Sequence, residues 1–227
     1  MDISIVIPAD RDRGWLNEAI ESALCQDYPS FEVILASDGN PDLKKYADRY
    51  SIRYSEVPKG NLSKNQNAAL KIANGEFIKG LAEDDLLYPD ALTNLRNAIG
   101  DHALVYARAL NFGLGKEFSY VPPKSIDAVK LWKGKSSFIH GGTTMFRRDA
   151  FWKVGGRDET INCCEDYDFY LNLLSHGYTF VYCDALVYKY RLHDQQKSRS
   201  HMRNRQRVKD YLYKKYEKPI IRACAQK

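Results

Sequence analysis

No stretch of the 227-residue sequence stays apolar for the roughly 20 residues that a membrane-spanning helix needs. The N-terminus, Met1-Asp2-Ile3, lacks a basic region followed by a long apolar run, so no signal peptide is read there. The two absences predict a soluble, cytoplasmic protein. Cysteine is sparse: Cys25, Cys163, Cys164, Cys183 and Cys224 form no CxxC pair and no zinc spacing. An odd number in this setting predicts reduced, mostly buried thiols and excludes a disulfide framework. With 8 proline and 14 glycine residues the chain is neither collagen-like nor of low complexity. Hydrophobic residues make up 44% and aromatics 12%, enough for a core, which excludes a disordered chain. The length suits one large α/β domain, or a domain with an annex, better than two full domains.

Acidic residues are also scarce in one place. From Lys189 to Lys227 there are 13 Lys and Arg against 3 Asp and Glu, although the whole chain is only +5. A mildly acidic body therefore carries a basic tail. Such a tail suits a solvated helix face, a helix that packs on the body, a contact with phosphate, a membrane surface or nucleic acid, or a link to a further domain. Arg203, Arg205 and Arg207 recur at a spacing of two, which spreads them around a helix instead of forming a stripe.

What is present in the first half is alternation of strands and helices. Ile3 to Ile7 is a short apolar run ended by Pro8 and reads as a buried strand. Trp15, Leu16, Ala19, Ile20, Ala23 and Leu24 recur at helical spacing before Pro29. Phe31–Ala36 reads as a second strand, followed by the turn Ser37-Asp38-Gly39-Asn40-Pro41. A helix over 42–50, a strand near Ile52–Val57, a helix capped by Ser63 and reaching Ala73, and a strand over Glu76–Leu81 complete the series. The pattern predicts a parallel, doubly wound sheet with right-handed crossovers.

In such sheets ligands lie outside the carboxyl ends of the strands. The fourth strand ends in Ala82-Glu83-Asp84-Asp85, three consecutive carboxylates that repel one another unless a cation or a cap relieves them. A divalent ion with oxygen ligands and a solvated acidic loop before the Pro89-Asp90 helix start both answer that pattern. A second acidic group, Glu165-Asp166-Tyr167-Asp168, opens another helix, where carboxylates also serve as plain caps. Two acidic sites suggest one cleft with two tasks, metal binding and general base. Trp132 and Trp152 suit packing better than sugar stacking, and His140 before Gly141-Gly142 suits a ligand contact or a structural histidine equally.

Taken in order, Ile5-Val6-Ile7-Pro8, Ser22-Ala23-Leu24-Cys25-Gln26, Phe31-Glu32-Val33-Ile34 with Ser37-Asp38-Gly39-Asn40, Asn74-Gly75-Glu76-Phe77, Glu83-Asp84-Asp85 with Tyr88-Pro89, Met145-Phe146-Arg147-Arg148 and Glu165-Asp166-Tyr167-Asp168 form a set. With it the sequence, from about Ile3 to His193, resembles the family 2 inverting glycosyltransferases. The resemblance implies the GT-A fold, a Rossmann-like mixed, mostly parallel sheet flanked by helices. Residues 1–100 would form the nucleotide-sugar half and 101–190 the acceptor half of one domain, with 191–227 a basic helical tail or linker. It implies that Pro8 and the residues after it line the nucleotide pocket, with Asp38 on the base and Lys64 and Asn67 near the nucleotide or its phosphates. Asp84 and Asp85 fall on the family's DxD-type site, one carboxylate facing ribose and the other binding Mn²⁺ or Mg²⁺. His193 matches a late histidine at the metal or pyrophosphate. Asp166 falls on the general base, with Glu165 as a like-charged neighbour that tunes it.

The sequence departs from the family pattern at Ser37, at Ala82, at Asp10-Arg11-Asp12-Arg13 and at Asn172, and the loss of an acid at 82 makes metal ligation lean on Asp85, with Glu83 or Asp84 beside it. The implied donor is a nucleotide sugar, UDP-glucose first, then a UDP- or dTDP-rhamnose, and the implied acceptor is a glycan or glycoconjugate. Nucleic acid is not an expected partner of such an enzyme, and a membrane surface would be met through the tail. The competing readings are a nucleotidyltransferase, which Pro8-Ala9-Asp10-Arg11 does not suit as a phosphate loop, and a non-catalytic nucleotide-sugar or nucleic-acid binding module.

Overall fold

The computed structural model describes residues 1–196 and 202–225, with the side chains of Met202 and Arg203 left aside. The part of the basic tail over 197–201, residues 226 and 227, and the expected placement of the Arg203 side chain lie outside the described residues. The chain runs β1 (Ile3–Ala9), α1 (Leu16–Leu24), β2 (Phe31–Asp38), α2 (Lys44–Tyr50), β3 (Arg53–Val57), α3 (Leu62–Ile72), β4 (Phe77–Gly80), β5 (Leu86–Leu87) and α4 (Ala91–Ile99). It continues through β6 (Leu104–Gly113), β7 (Lys116–Tyr120), α5 (Ala128–Lys133), β8 (Met145–Arg147), α6 (Arg148–Lys153), α7 (Glu165–Ser175), β9 (Phe180–Arg191) and α8 (Met202–Ala225).

Among the described residues the strands join in one sheet of order β3-β2-β1-β4-β8-β6-β9-β5, with β7 beside β6. β1 to β4 are mutually parallel, as the alternation predicts, and β6 and β9 are parallel to each other. β8 inserts antiparallel between β4 and β6, and β5 pairs antiparallel with β9. The fold is thus a mixed α/β domain with a mostly parallel sheet. Side chains alternate across it. Val6, Ile34 and Ile78 face a core covered by α3, α5, α7 and α8, and Ile5, Val33, Leu35 and Phe77 face a second core under α1 and α4.

Three local expectations need correction. The first strand does not end at Pro8; Pro8 pairs with Ala36 inside β1. β4 stops opposite Val6, so beyond that point β1 has an open side where a residue without an N–H loses nothing. α3 is capped by Asn61, whose side chain accepts from the Lys64 amide at 2.9 Å, while Ser63 is buried within the helix. The fourth strand covers Phe77–Gly80 only.

One buried cluster fixes the lower end of β1, β2 and β3. Glu32 accepts from the Ser4 hydroxyl at 2.6 Å, from the Asn74 amide at 2.6 Å and from Arg53 at 2.6 Å. Gly75 donates to the Ser4 hydroxyl oxygen at 2.9 Å, and a Cβ there would lie 2.4 Å from the Ser4 nitrogen, which is why Asn74 is followed by glycine. Burial works against ionising Glu32, but these donors and the Arg53 charge hold its carboxyl below the usual range.

The C-terminal helix packs on the body. Leu212, Tyr216 and Ile220 recur at a spacing of four and are buried, and Trp132 stacks on Tyr213 with centroids 4.6 Å apart while donating to its carbonyl at 2.7 Å. Among the described residues no helix is long and apolar enough to cross a membrane.

Candidate active site

The carboxyl ends of β1, β2 and β4 open on one side of the sheet, and the acidic turn 82–85 follows β4 directly. Its three carboxylates have three different fates. Glu83 pairs with Arg13, which also meets Asp10 at 2.9 Å. Burial and the neighbouring Asp84 charge push Glu83 up to about 7, against the pull of Arg13. Asp84 meets the Nε2 of His193 at 2.8 Å. Asp85 is buried, accepts from the Tyr188 hydroxyl at 2.8 Å and from the Arg191 amide at 2.7 Å, and burial with the Asp84 charge raises it well above the carboxylate range.

The end of β9 therefore grips the turn. Arg191 donates through Nε to the Asp84 carbonyl at 2.9 Å and through Nη2 to Glu18 at 2.7 Å. His193 lies against Trp15, ring centroids 4.4 Å apart, with its Nδ1 buried and without a hydrogen-bond partner among the described residues. Lys79, wholly buried on β4, donates to the carbonyls of Gly80 and Gly142 and sits 5.0 Å from the Tyr188 ring. Burial brings its amine down to about 7, with the Asp85 charge opposing.

At the ends of β1 and β2, Pro8 is buried in β1, and Asp38 accepts from the Gly60 amide at 2.7 Å, closing the β3–α3 loop over the strand end. Gly39 makes that closure possible: its φ is +72°, and a Cβ would lie 2.6 Å from the Lys59 nitrogen. Lys64 is exposed on the first turn of α3. Asn67 is buried and its amide is committed to the loop before α7: it donates to the Arg157 carbonyl at 3.0 Å and to Glu159 at 2.9 Å, and accepts from the Arg157 amide at 3.0 Å. The structure thus brings Asp84 and His193 together, and sets Asn67 against the 157–159 loop.

Asp166 lies in the first turn of α7, which starts after Cys164 at φ 60°. It is the open member of its pair: its side chain is 44% exposed, whereas Glu165 is buried. Arg157, itself buried, meets it at 2.8 Å and lies over the Phe169 ring at 5.2 Å. Gly141 passes so close that a Cβ would lie 2.1 Å from the Asp166 Oδ2, and a Cβ on Gly142 would meet the Tyr188 ring at the same distance. Through these two glycines the base candidate and the acidic turn share one wall. His140 just before them is held among Tyr120, Tyr188 and Tyr190, and burial, aided by Lys79 and opposed by Asp166, brings it down to about 4, so it is neutral at pH 7.

Asp85 was expected to be the main metal ligand; each of its oxygens accepts one hydrogen bond, from the Tyr188 hydroxyl and from the Arg191 amide, which leaves a lone pair on each. Among the described residues no group of three or more His, Cys, Asp or Glu is placed to hold a metal ion. Asp84 and His193 nevertheless fit one: a hard oxygen and an imidazole nitrogen side by side, for an ion that takes its other ligands from phosphates and water. Arg13, Lys79, Arg157, Tyr188 and Arg191 were not singled out as site residues in the sequence. A lysine within an apolar run at 77–81 and an arginine straight after Gly155-Gly156 were the available signals.

A mixed sheet with carboxylates at its strand ends and a helix-borne carboxylate across the cleft defines a GT-A type domain. The chain belongs to glycosyl transferase family 2, whose model matches residues 4–155, and the model of glycosyl transferase family group 2 matches 126–213. An uncharacterized glycosyltransferase of Rickettsia typhi is 28% identical over 86% of this chain and 65% of its own length. The chondroitin synthase of Pasteurella multocida is 28% identical over 95% of this chain but 24% of its own length. The chain thus spans less than two thirds of either relative. Among solved structures, S. aureus TarS 1–349 in complex with UDP-GlcNAc has a TM-score of 0.72 at 19% identity, covering 88% of this chain and 61% of that 1–349 chain. A Pyrobaculum calidifontis mannosyltransferase in complex with GDP-Man and Mn²⁺ has a TM-score of 0.65 at 16% identity, covering 98% and 68%.

Proposed function

We propose that the chain transfers a hexose from a nucleoside diphosphate sugar to a hydroxyl of a glycan or glycoconjugate, inverting the anomeric centre in a single displacement. The observation that carries this reading is the open carboxylate of Asp166, held by Arg157 against Gly141 on the wall it shares with the acidic turn. In the reading, residues 1–100 hold the donor and 101–190 the acceptor. Pro8 and Asp38 line the nucleotide pocket, and Lys64 reaches its phosphates from α3. Asn67 holds the loop that carries Arg157. Asp84 and His193 would hold Mn²⁺ or Mg²⁺, which when bound supplies charge stabilisation to the departing diphosphate.

Asp166 takes the proton of the acceptor hydroxyl as that oxygen bonds to the anomeric carbon and the bond to the diphosphate breaks. The hydroxyl proton ends on Asp166 and the electron pair on the nucleoside diphosphate. Neutral His140 and its tyrosine neighbours give the acceptor side a surface that carries no competing charge. A uridine donor is supported by the likeness to TarS in complex with UDP-GlcNAc; UDP-glucose and UDP-GlcNAc are the first to test.

The test is a thermal-shift screen of UDP, dTDP, GDP and their common sugars, each with Mn²⁺ and with EDTA. A shift confined to one nucleotide family and lost in EDTA is expected. No shift with any of them would overturn the donor assignment and favour the binding-module reading of some other ligand. With the donor in hand, Asp166→Asn should keep the UDP shift while turnover falls at least about a hundredfold. Unchanged turnover would remove Asp166 from the mechanism.

A further inference from the structure

α8 lies outside the sheet, yet one of its lysines reaches the site. The Lys215 ammonium sits 2.9 Å from Asp158 Oδ2 and 2.8 Å from Asp168 Oδ1, and the Tyr216 hydroxyl donates to the same Asp168 oxygen at 2.9 Å. Asp168 is buried, with Tyr216 buried above it. Asp158 directly follows Arg157 in the loop, and Asp168 lies two residues after Asp166 on α7. One ammonium therefore ties the loop that carries Arg157 to the helix that carries Asp166.

The loop has need of such a tie. It leaves α6 through Gly155 and Gly156, both at positive φ, +88° and +76°, where the chain swings freely in the unfolded state. Asn67 fixes the Arg157 backbone, but among the described residues only Lys215 links Asp158 to the helix that bears Asp166. The two carboxylates outweigh burial and raise the Lys215 amine above its ordinary value, and Asp158 is held below its own by Thr160 and Lys215 in spite of burial. The bridge is ionic at neutral pH.

We propose that Lys215 is a positioning residue for the general base: through Asp158 and Asp168 it fixes the loop and α7 so that Arg157 holds Asp166 in place, and α8 is thereby a working part of the site. The inference rests on the reading of Asp166 as base. It predicts that the clamp affects the chemical step and leaves donor binding alone, because neither bridged carboxylate belongs to the donor turn.

The experiment follows UDP release by the full chain from the UDP-sugar that gives the largest thermal shift, with Mn²⁺. Lys215→Met should lower kcat about tenfold or more, since small misplacements of a catalytic group are costly. KM for the donor should stay within about twofold. Lys215→Arg should recover most of the loss, and Lys214→Met, at the exposed neighbour, should match the wild type. Combined with Arg157→Met, the Lys215→Met change should cost nothing further, as expected of two residues acting through one contact. Wild-type kcat in folded Lys215→Met, or losses that multiply in the double variant, would overturn the proposal. If Lys215→Met does not fold, Asp158→Asn, which leaves the Lys215–Asp168 bond, takes its place: a lower kcat with unchanged KM supports the clamp, and an unchanged kcat overturns it. Asp166→Asn measured alongside separates the two readings. If it keeps full turnover the base assignment fails, and if it is inactive while Lys215→Met is fully active only the clamp fails.

Discussion

Asp84 and Asp85 are neighbours with opposite surroundings, and the difference is set by residues more than a hundred positions away. Asp85 turns inward to Tyr188 and the Arg191 amide, and Asp84 faces His193. Asp84→Asn should abolish the Mn²⁺-dependent part of the UDP thermal shift and leave the melting point of the free protein nearly unchanged. Asp85→Asn should destabilise the protein by about 1–3 kcal/mol, the range for a buried hydrogen-bonding group left ill matched, and keep the metal-dependent shift. The reverse pattern would show that the ion is held by Asp85. Nothing in the sequence separates these two carboxylates, because adjacency says where a turn is and not which side chain points in. Asp166 was named through the family resemblance; spacing alone does not separate it from Glu165 and Asp168, which share its first turn and are buried, and its partner Arg157 was not seen.

At the scale of elements, β1, β2 and β4 could be read because each is a short, mostly apolar run closed by a turn signal, and β3, whose Arg53–Val57 is largely polar, only from its place in the alternation. β8, with three residues, is too short to show a period, and β9 is half-buried over most of its length, so its alternation is weak. The Asn74-Gly75-Glu76 stretch could be seen as a motif but not explained until Glu32 was found under it. That cluster makes a pH prediction. The Glu32 carboxyl is held below its ordinary value, so the folded state binds its proton less readily than the unfolded chain does. Its contribution is present above the unfolded value of about 4.3 and is lost as pH falls through the lower folded value. Glu32→Gln should therefore be less stable than the wild type at pH 7, by about 1–3 kcal/mol, with the gap closing below about pH 4. Melting curves across that range check it, and a constant gap would place the effect elsewhere.

For the whole molecule, α8 closes one of the two cores with Leu212, Tyr216 and Ile220, and Lys215 reaches in to Asp168 while Arg207, Lys214, Lys218 and Arg222 are exposed. A chain of residues 1–196 should lose about 5 kcal/mol or more of burial from those three side chains. It should bind a hydrophobic dye and melt well below the full chain; an unchanged melting point would mean that α8 is not needed for the core. The tail was legible as basic and helical, but whether it docked was not, because its apolar spacing is diluted by charge. The grip of β9 on the acidic turn has a further consequence for the order of events during synthesis. The first 80 residues hold β1 to β4 and can pair as soon as they leave the ribosome, with the turn at 82–85 already made. Yet β5 has β9 as its strand partner, and Asp84 and Asp85 wait for His193, Tyr188 and Arg191. The acidic turn is thus translated early and assembled late, and a nascent chain has no finished crevice until residue 193 has emerged.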